Sequence, residues 1–392
     1  MRLTLGAFLL VVAWVCGTVL LPVLEGKRGP CPVWLGVLFQ VACAALICAS
    51  AAAVFWDSAV RRRWILAASV LFLLLECELA CRIRNNVASA GLVEENATCG
   101  WQPLSGGKWN STLPEIGPVS ISTHANGFRK WGDPKTRKFK LLIVGDSYTH
   151  ALYISDGKTY FDQLQQARPD IEVFAFGCAG YSALQVYLKL KQWVNEIKPD
   201  LILWEFVHGR IIAATPECET HSRWNDHVVR PYLVDGEVKF LYAKETRRGI
   251  FRLCRYSAFL RQLDHFRTRW RARRAGWNIE MDLKPWHPVY RRARDVVSQV
   301  FDMARQVTGN TPIAGFVAAN NYDWDGTFPS LCHEHGFAFL DGIDRAVKDE
   351  EKRGKKVTLM PMDSHWNTEG HAVAAKAILK QFMDQKLLPP KL

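Results

Sequence analysis

Apolar residues in the latter two thirds of the chain follow two alternating rhythms. Short β-type runs at Lys140 to Val144, Ile171 to Phe176, Leu201 to Phe206, Ile313 to Val317 and Ala338 to Leu340 are separated by helix-length stretches, among them Tyr160 to Ala167, Ala183 to Ile197 and Val289 to Val307. Strands that alternate with helices predict a parallel sheet covered on both faces, because each crossover lays a helix against the sheet. Five runs predict a three-layer α/β/α sandwich over 139–392. The stretch from Arg210 to Ile313 is too long for one crossover, so 211–288 reads as an insertion. A lid or membrane-facing subdomain is expected there, with Trp224, Trp270, Trp277 and Trp286 either filling a small core or stacking on sugar rings.

The first eighty or so residues carry a different pattern. Residues 3–24 and 33–56 are each apolar over a length sufficient to cross a bilayer, for which about 20 residues are needed. Residues 64–80 form a shorter third candidate, burdened by Glu76 and Glu78. No small-x-small cleavage site follows the first segment, which favours an uncleaved anchor over a signal peptide. Arg61, Arg62 and Arg63 mark the loop after the second segment as cytoplasmic. Residues 1–84 are thus expected to be a membrane anchor of three transmembrane helices. That count delivers the large domain to the periplasmic or extracytoplasmic side of a cell inner membrane. Residues 85–138, with turn-formers such as Ser105-Gly106-Gly107 and Asp133-Pro134 and few periodic runs, read as a linker and lead-in.

The formal net charge of +12 is unevenly spread. From Arg247 to Arg274 there are ten arginines and a single acid, Asp264, interleaved with apolar residues such as Phe259, Leu263 and Phe266. The segment reads as a basic amphipathic helix, set either on anionic lipid headgroups or as a solvated face packed by its apolar side. No nucleic-acid motif accompanies the charge, so no nucleic-acid partner is expected. Of the eleven cysteines, six lie in or beside the apolar N-terminal segments. Cys99, Cys178, Cys218, Cys254 and Cys332 lack metal-ligand spacing, so no metal is expected, and a disulfide joining Cys218 to Cys254 or Cys332 stays open. Walker-type and dinucleotide-type glycine spacings are absent, which removes support for nucleotide chemistry. Two Asn-x-Thr triplets, at Asn96 and Asn110, match the glycosylation pattern without deciding anything.

The chemistry concentrates at two places. Gly145-Asp146-Ser147 follows the apolar run Leu141 to Val144, so a strand breaks at glycine and delivers a serine into a new helical segment at the carboxyl end of the sheet, where open α/β folds place their sites. A serine needs a base, and the base needs an orienting carboxylate. Asp363-Ser364-His365-Trp366-Asn367 near the C-terminus offers both, with Asn367 or Thr368 placed to cap the closing helix. Each fragment alone is also an ordinary turn or surface loop; their occurrence at the two ends of one α/β pattern is what points to a Ser147, His365 and Asp363 catalytic set.

These residues resemble the SGNH (GDSL-type) hydrolase superfamily. Gly145-Asp146-Ser147-Tyr148 is similar to its first block, Phe176 to Ser182 to its second, and Asp363 to His365 with Gly370-His371 to its last, while Ile121 to Arg129 resembles the lead-in of bacterial members. The resemblance spans roughly Ile121 to Leu388 and implies a flavodoxin-like five-stranded fold with an oxyanion held by the N–H groups of Ser147 and Gly180. Two departures stand out. The asparagine of the third block is missing after Leu201 to Phe206, where Val207-His208-Gly209-Arg210 stands instead, so His208 is the candidate third oxyanion donor or simply a structural residue. The spacing Asp-x-His replaces Asp-x-x-His, an arrangement similar to alginate O-acetylation proteins.

The expected function is serine-dependent hydrolysis of an acyl ester on a carbohydrate or cell-envelope substrate, without a cofactor. The alternatives are O-acyl transfer to a polysaccharide, which uses the same residues, and a non-catalytic membrane-anchored glycan-binding or assembly protein. A membrane-protein partner is compatible with each.

Overall fold

The computed structural model describes residues 92–392 apart from 114–115, 221–227, 245–250, 255, 276–285, 320–325, 360–363 and 391–392, together with scattered positions between 59 and 81. Contacts divide the chain into two compact units, Met1–Val93 with Tyr256–Leu263, and Glu94–Arg255 with Asp264–Leu392. The second holds a five-stranded parallel sheet of β5 (Phe139–Gly145), β6 (Ile171–Gly177), β7 (Leu201–Val207), β10 (Ile313–Ala319) and β11 (Ala338–Phe339), in the order β11-β10-β7-β5-β6.

The period of two along each strand sorts the apolar residues onto two cores. Leu142, Val144, Phe174, Phe176, Ile202 and Trp204 face one side, packed by the helices Ala183–Ile197 and Pro288–Thr308. Leu141, Ile143, Val173, Ala175, Leu203 and Phe316 face the other, packed by Tyr160–Ala167, Ile343–Lys352 and Thr368–Asp384. Neither face of the central strands meets water, which is why they read as continuous apolar runs. The expected three layers and all five strand positions are present, with ends moved by a residue or two.

Strand order reverses at β5, whose neighbours β6 and β7 lie on opposite sides of it. The carboxyl end of β5 is therefore the switch point where open sheets leave a crevice. There β5 and β6 pair Gly145 with Gly177. A methyl group on Gly145 would lie 2.4 Å from Glu205 Oε2, and one on Gly177 would lie 2.3 Å from the His150 nitrogen. The two missing side chains make room for the short helix Ser147–His150 to sit across the strand ends.

The expected linker is more structured than its composition suggested. Two antiparallel ribbons, β1 (Val93–Asn96) with β2 (Gly100–Pro103) and β3 (Lys108–Leu113) with β4 (Gly117–Ser122), occupy it, and Cys99, Val119, Ile121 and Phe128 are buried. Strands of four to six residues broken by glycine turns are too short to show periodicity. The insertion contains a hairpin, β8 (Val229–Val234) and β9 (Glu237–Tyr242), turned at Asp235-Gly236 with positive φ at both residues. The basic segment divides into helices Phe251–Cys254 and Ala258–Ala275.

Residues 3–24 and 33–56 lie outside the described residues, as does part of 64–80. The described positions between Ala59 and Cys81 are helical. Among the described residues no helix is long and apolar enough to cross a membrane. Glu78, expected to burden a span, accepts hydrogen bonds from Ser257 Oγ and the backbone N–H groups of Ala258 and Phe259 at 2.7 to 3.0 Å, capping the start of the Ala258–Ala275 helix. Cys218 and Cys332 are buried thiols, joined neither to each other nor to Cys254, so the disulfide left open by the sequence is not formed.

Candidate active site

Ser147 opens the helix that follows β5 and is buried but for 8% of its surface. His365, 218 positions later, brings its Nε2 to 2.7 Å from Ser147 Oγ. The segment carrying the histidine is fixed by backbone pairing. Leu359 N–H donates to the His365 carbonyl, Asn367 N–H donates to the Val357 carbonyl, and Thr358 bridges Trp366. Asn367 also caps the last helix by accepting from Gly370 N–H. The imidazole lies against the Tyr148 ring with centroids 4.7 Å apart, and Trp366 packs on the same tyrosine. Residues on both sides of the histidine are thus anchored, which holds the ring toward the serine. Asp363 lies outside the described residues.

Gly180, expected to offer its N–H to an oxyanion, donates it to Asp146 Oδ1 at 2.5 Å, and Tyr181 N–H adds a second bond to the same oxygen. Arg210 Nε donates to the other oxygen at 2.6 Å. The Asp146 side chain, almost fully buried, gathers these donors because its oxygens have no access to water. The Gly180 carbonyl accepts from Arg230 Nη2 at 2.7 Å, so this peptide is held at both ends. His208 begins a 3-10 turn, His208–Ala214, directly after β7. As the first residue of its helix, Ser147 carries one of the backbone N–H groups that lack an intrahelical acceptor.

Beneath the serine lies a carboxyl group that the sequence reading passed over. Glu205, on β7, accepts from Asp146 N–H, Thr149 N–H and Thr149 Oγ1, all through Oε2 at 2.8 to 3.1 Å. Its Oε1 is buried with no hydrogen-bond partner among the described residues. Burial, with the Asp146 charge acting in the same direction, raises its pKa to about 8. Arg129 is a second unforeseen element. Its guanidinium donates to the carbonyls of His150, Ala151 and Ile154 and to Asp156, closing the C-terminal end of the serine helix where Ala151 turns left-handed at φ 49°. A hydrophobic run followed by glycine announces a strand end; nothing in local sequence announces which distant glutamate or arginine will brace it.

No family model matches the chain, and no curated protein matches it. Among solved structures it is similar to a member of the lipolytic G-D-S-L family from Veillonella parvula DSM 2008, at 11% identity and a TM-score of 0.36 over 62% of this chain and 98% of that one. It is also similar to a family 3 carbohydrate esterase of Clostridium thermocellum (11% identity, TM-score 0.36, 64% of this chain and 100% of that one). Axe2, an acetylxylan esterase from Geobacillus stearothermophilus, is similar at 14% identity and a TM-score of 0.35 over 62% of this chain and 93% of that one. Likeness at this level carries no chemistry across, and the site is read from its own side chains.

Two buried histidines flank that site. His150 Nδ1 accepts from Ala179 N–H and His371 Nδ1 from Tyr160 N–H, each at 3.1 Å. Burial, reinforced by the Arg129 charge, lowers both to a pKa of about 3. Their stabilising contribution is full above pH 6.5, the ordinary histidine value, and is lost as the pH falls toward 3. Glu205 acts with the opposite sign: its contribution is full below 4.5 and is lost as the pH rises through about 8. Unfolding by urea should therefore show greatest stability near pH 6.5, with a fall of about 2 kcal/mol from there to pH 8. Glu205→Gln should remove the alkaline fall and leave the acid limb; an unchanged alkaline limb would exclude a protonated Glu205. Among the described residues no group of three or more His, Cys, Asp or Glu side chains is arranged to hold a metal ion.

Proposed function

We propose that this chain is a serine-dependent acyl-ester hydrolase of the SGNH type acting on an acylated carbohydrate or cell-envelope ester. The observation that carries this reading is the 2.7 Å contact between Ser147 Oγ and His365 Nε2 at the switch point of a parallel sheet. Ser147 attacks the ester carbonyl while His365 takes the hydroxyl proton. The tetrahedral intermediate then collapses, the alcohol leaves with that proton, and an acyl-serine remains. Water, deprotonated by the same imidazole, releases the acid and restores the serine. Asp363 is assigned to the other ring nitrogen, where it sets the tautomer and stabilises the imidazolium.

The developing oxyanion is assigned to the Ser147 N–H. Gly180 N–H reaches it only as far as Asp146 shares or releases that donor. O-acyl transfer, in which a sugar hydroxyl replaces water in the second half-reaction, remains a second reading on one observation, the Asp-x-His spacing at Asp363 and His365. A purely structural role is opposed by the serine–histidine contact.

A fluorophosphonate probe reports the proposal independently of the natural substrate. The full chain in detergent should gain one phosphonyl adduct, mapped by mass spectrometry to the peptide containing Ser147, and His365→Ala should nearly abolish labelling. Labelling at another residue, or labelling unaffected by His365→Ala, would overturn the assignment. With an acetyl donor and an oligosaccharide acceptor, acetyl appearing on sugar rather than in solution would identify transfer.

A further inference from the structure

We infer that the outward face of the Ala258–Ala275 helix docks on the surface of an anionic phospholipid bilayer. Two polar residues of the helix, Asp264 and Thr268, face inward. Asp264 is buried, its Oδ2 accepting from Lys244 Nζ at 2.6 Å and from Tyr242 Oη at 2.7 Å. Lys244 Nζ also donates to Thr268 Oγ1, one turn further along. On the other side, Leu263, Phe266 and Trp270 recur at helical spacing and are 49%, 69% and 46% exposed. A helix that docks through a carboxylate and a threonine while showing leucine, phenylalanine and tryptophan outward reverses the usual arrangement. Single exposed apolar side chains are ordinary, but three in register on one helix face form a patch that calls for a partner.

Charge selects the partner. The helix carries six arginines and one acid, Asp264, which lies 2.6 Å from Lys244 Nζ and 4.0 Å from Arg267 Nε, so cationic side chains far outnumber the single carboxylate. Arg267 and Arg274 fall on the same face as the apolar residues, and the Arg274 guanidinium stands 4.0 Å above the Trp270 ring. Aromatic rings beside guanidinium groups suit the boundary between headgroups and acyl chains, where the ring is half immersed and the cation meets phosphate. Leu253 and Tyr256, just before the helix, are exposed as well. The inference stands apart from the chemistry at Ser147.

Hydrogen–deuterium exchange on the full chain reconstituted in nanodiscs tests it. Amides of residues 263–274 should exchange about tenfold more slowly in phosphatidylglycerol discs than in phosphatidylcholine discs, and about 1 M salt should erase the difference. The variant R274E should lose most of the lipid dependence while keeping the wild-type unfolding midpoint. F266S/W270S should weaken protection in the anionic discs. Equal exchange in both lipids would overturn the inference. If exchange were slow in both lipids and in detergent, another part of the chain or a second copy covers the face; if fast throughout, nothing does.

Discussion

Ser147→Ala should leave a folded protein that hydrolyses a chromogenic acetyl ester at least about a thousandfold more slowly than wild type. The expectation follows from one contact: with Oγ removed, His365 Nε2 loses the hydroxyl 2.7 Å away. His365→Ala should cost a similar factor, because an unactivated serine hydroxyl is a poor nucleophile at neutral pH. The double variant should be little worse than either single one, since groups that act as a unit do not add. Asp363→Asn should also lower the rate steeply, with the serine and imidazole still in place but the tautomer wrong. Equal rates for wild type and Ser147→Ala would remove the nucleophile. Rates that multiplied in the double variant would mean that serine and histidine act separately.

Gly177→Ala should damage both stability and activity, through the backbone rather than through any lost contact. Its added methyl group would lie 2.3 Å from the His150 nitrogen and 2.5 Å from the Thr149 carbonyl carbon, distances at which something must shift. Neither neighbour is a flexible side-chain end, so the helix carrying Ser147 moves or the strand does. Overpacking of this kind typically costs about 1–3 kcal/mol. A displacement of the helix would also lengthen the Ser147–His365 contact. Urea unfolding together with acetyl-ester kinetics on the variant checks both effects, and wild-type values in both would show that β5 and β6 separate more freely than their packing implies. Gly336→Ala is the control, because a methyl group there meets nothing within 4 Å, although its φ of +65° brings a small local strain.

The architecture was legible because both faces of the sheet are buried. Runs such as Leu141 to Val144 and Leu201 to Phe206 stand out when every residue must avoid water, and the helices between them keep their own period. The ribbons between Val93 and Ser122 were not legible, since four to six residues of mixed polarity look like any loop. The hairpin at Asp235-Gly236 left a usable mark, an Asp-Gly pair between β-rich runs, but it lay inside a stretch read as one insertion. At the site, Ser147 and His365 were visible because one follows the glycine that ends β5 and the other stands just before the capped start of the last helix. Glu205 and Arg129 were not: one is a single acid within an apolar strand, the other one of two adjacent basic residues after Phe128, and their meaning lies in partners 59 and 22 positions away. Gly180 follows β6 closely, and its N–H is turned to Asp146, a choice set by tertiary electrostatics that no local pattern carries.

His365 belongs to the segment that enters the final helix, while Ser147 emerges long before it during synthesis. A chain stopped before that segment lacks the imidazole that meets Ser147, so under the proposed chemistry its serine stays inert until the last helix docks.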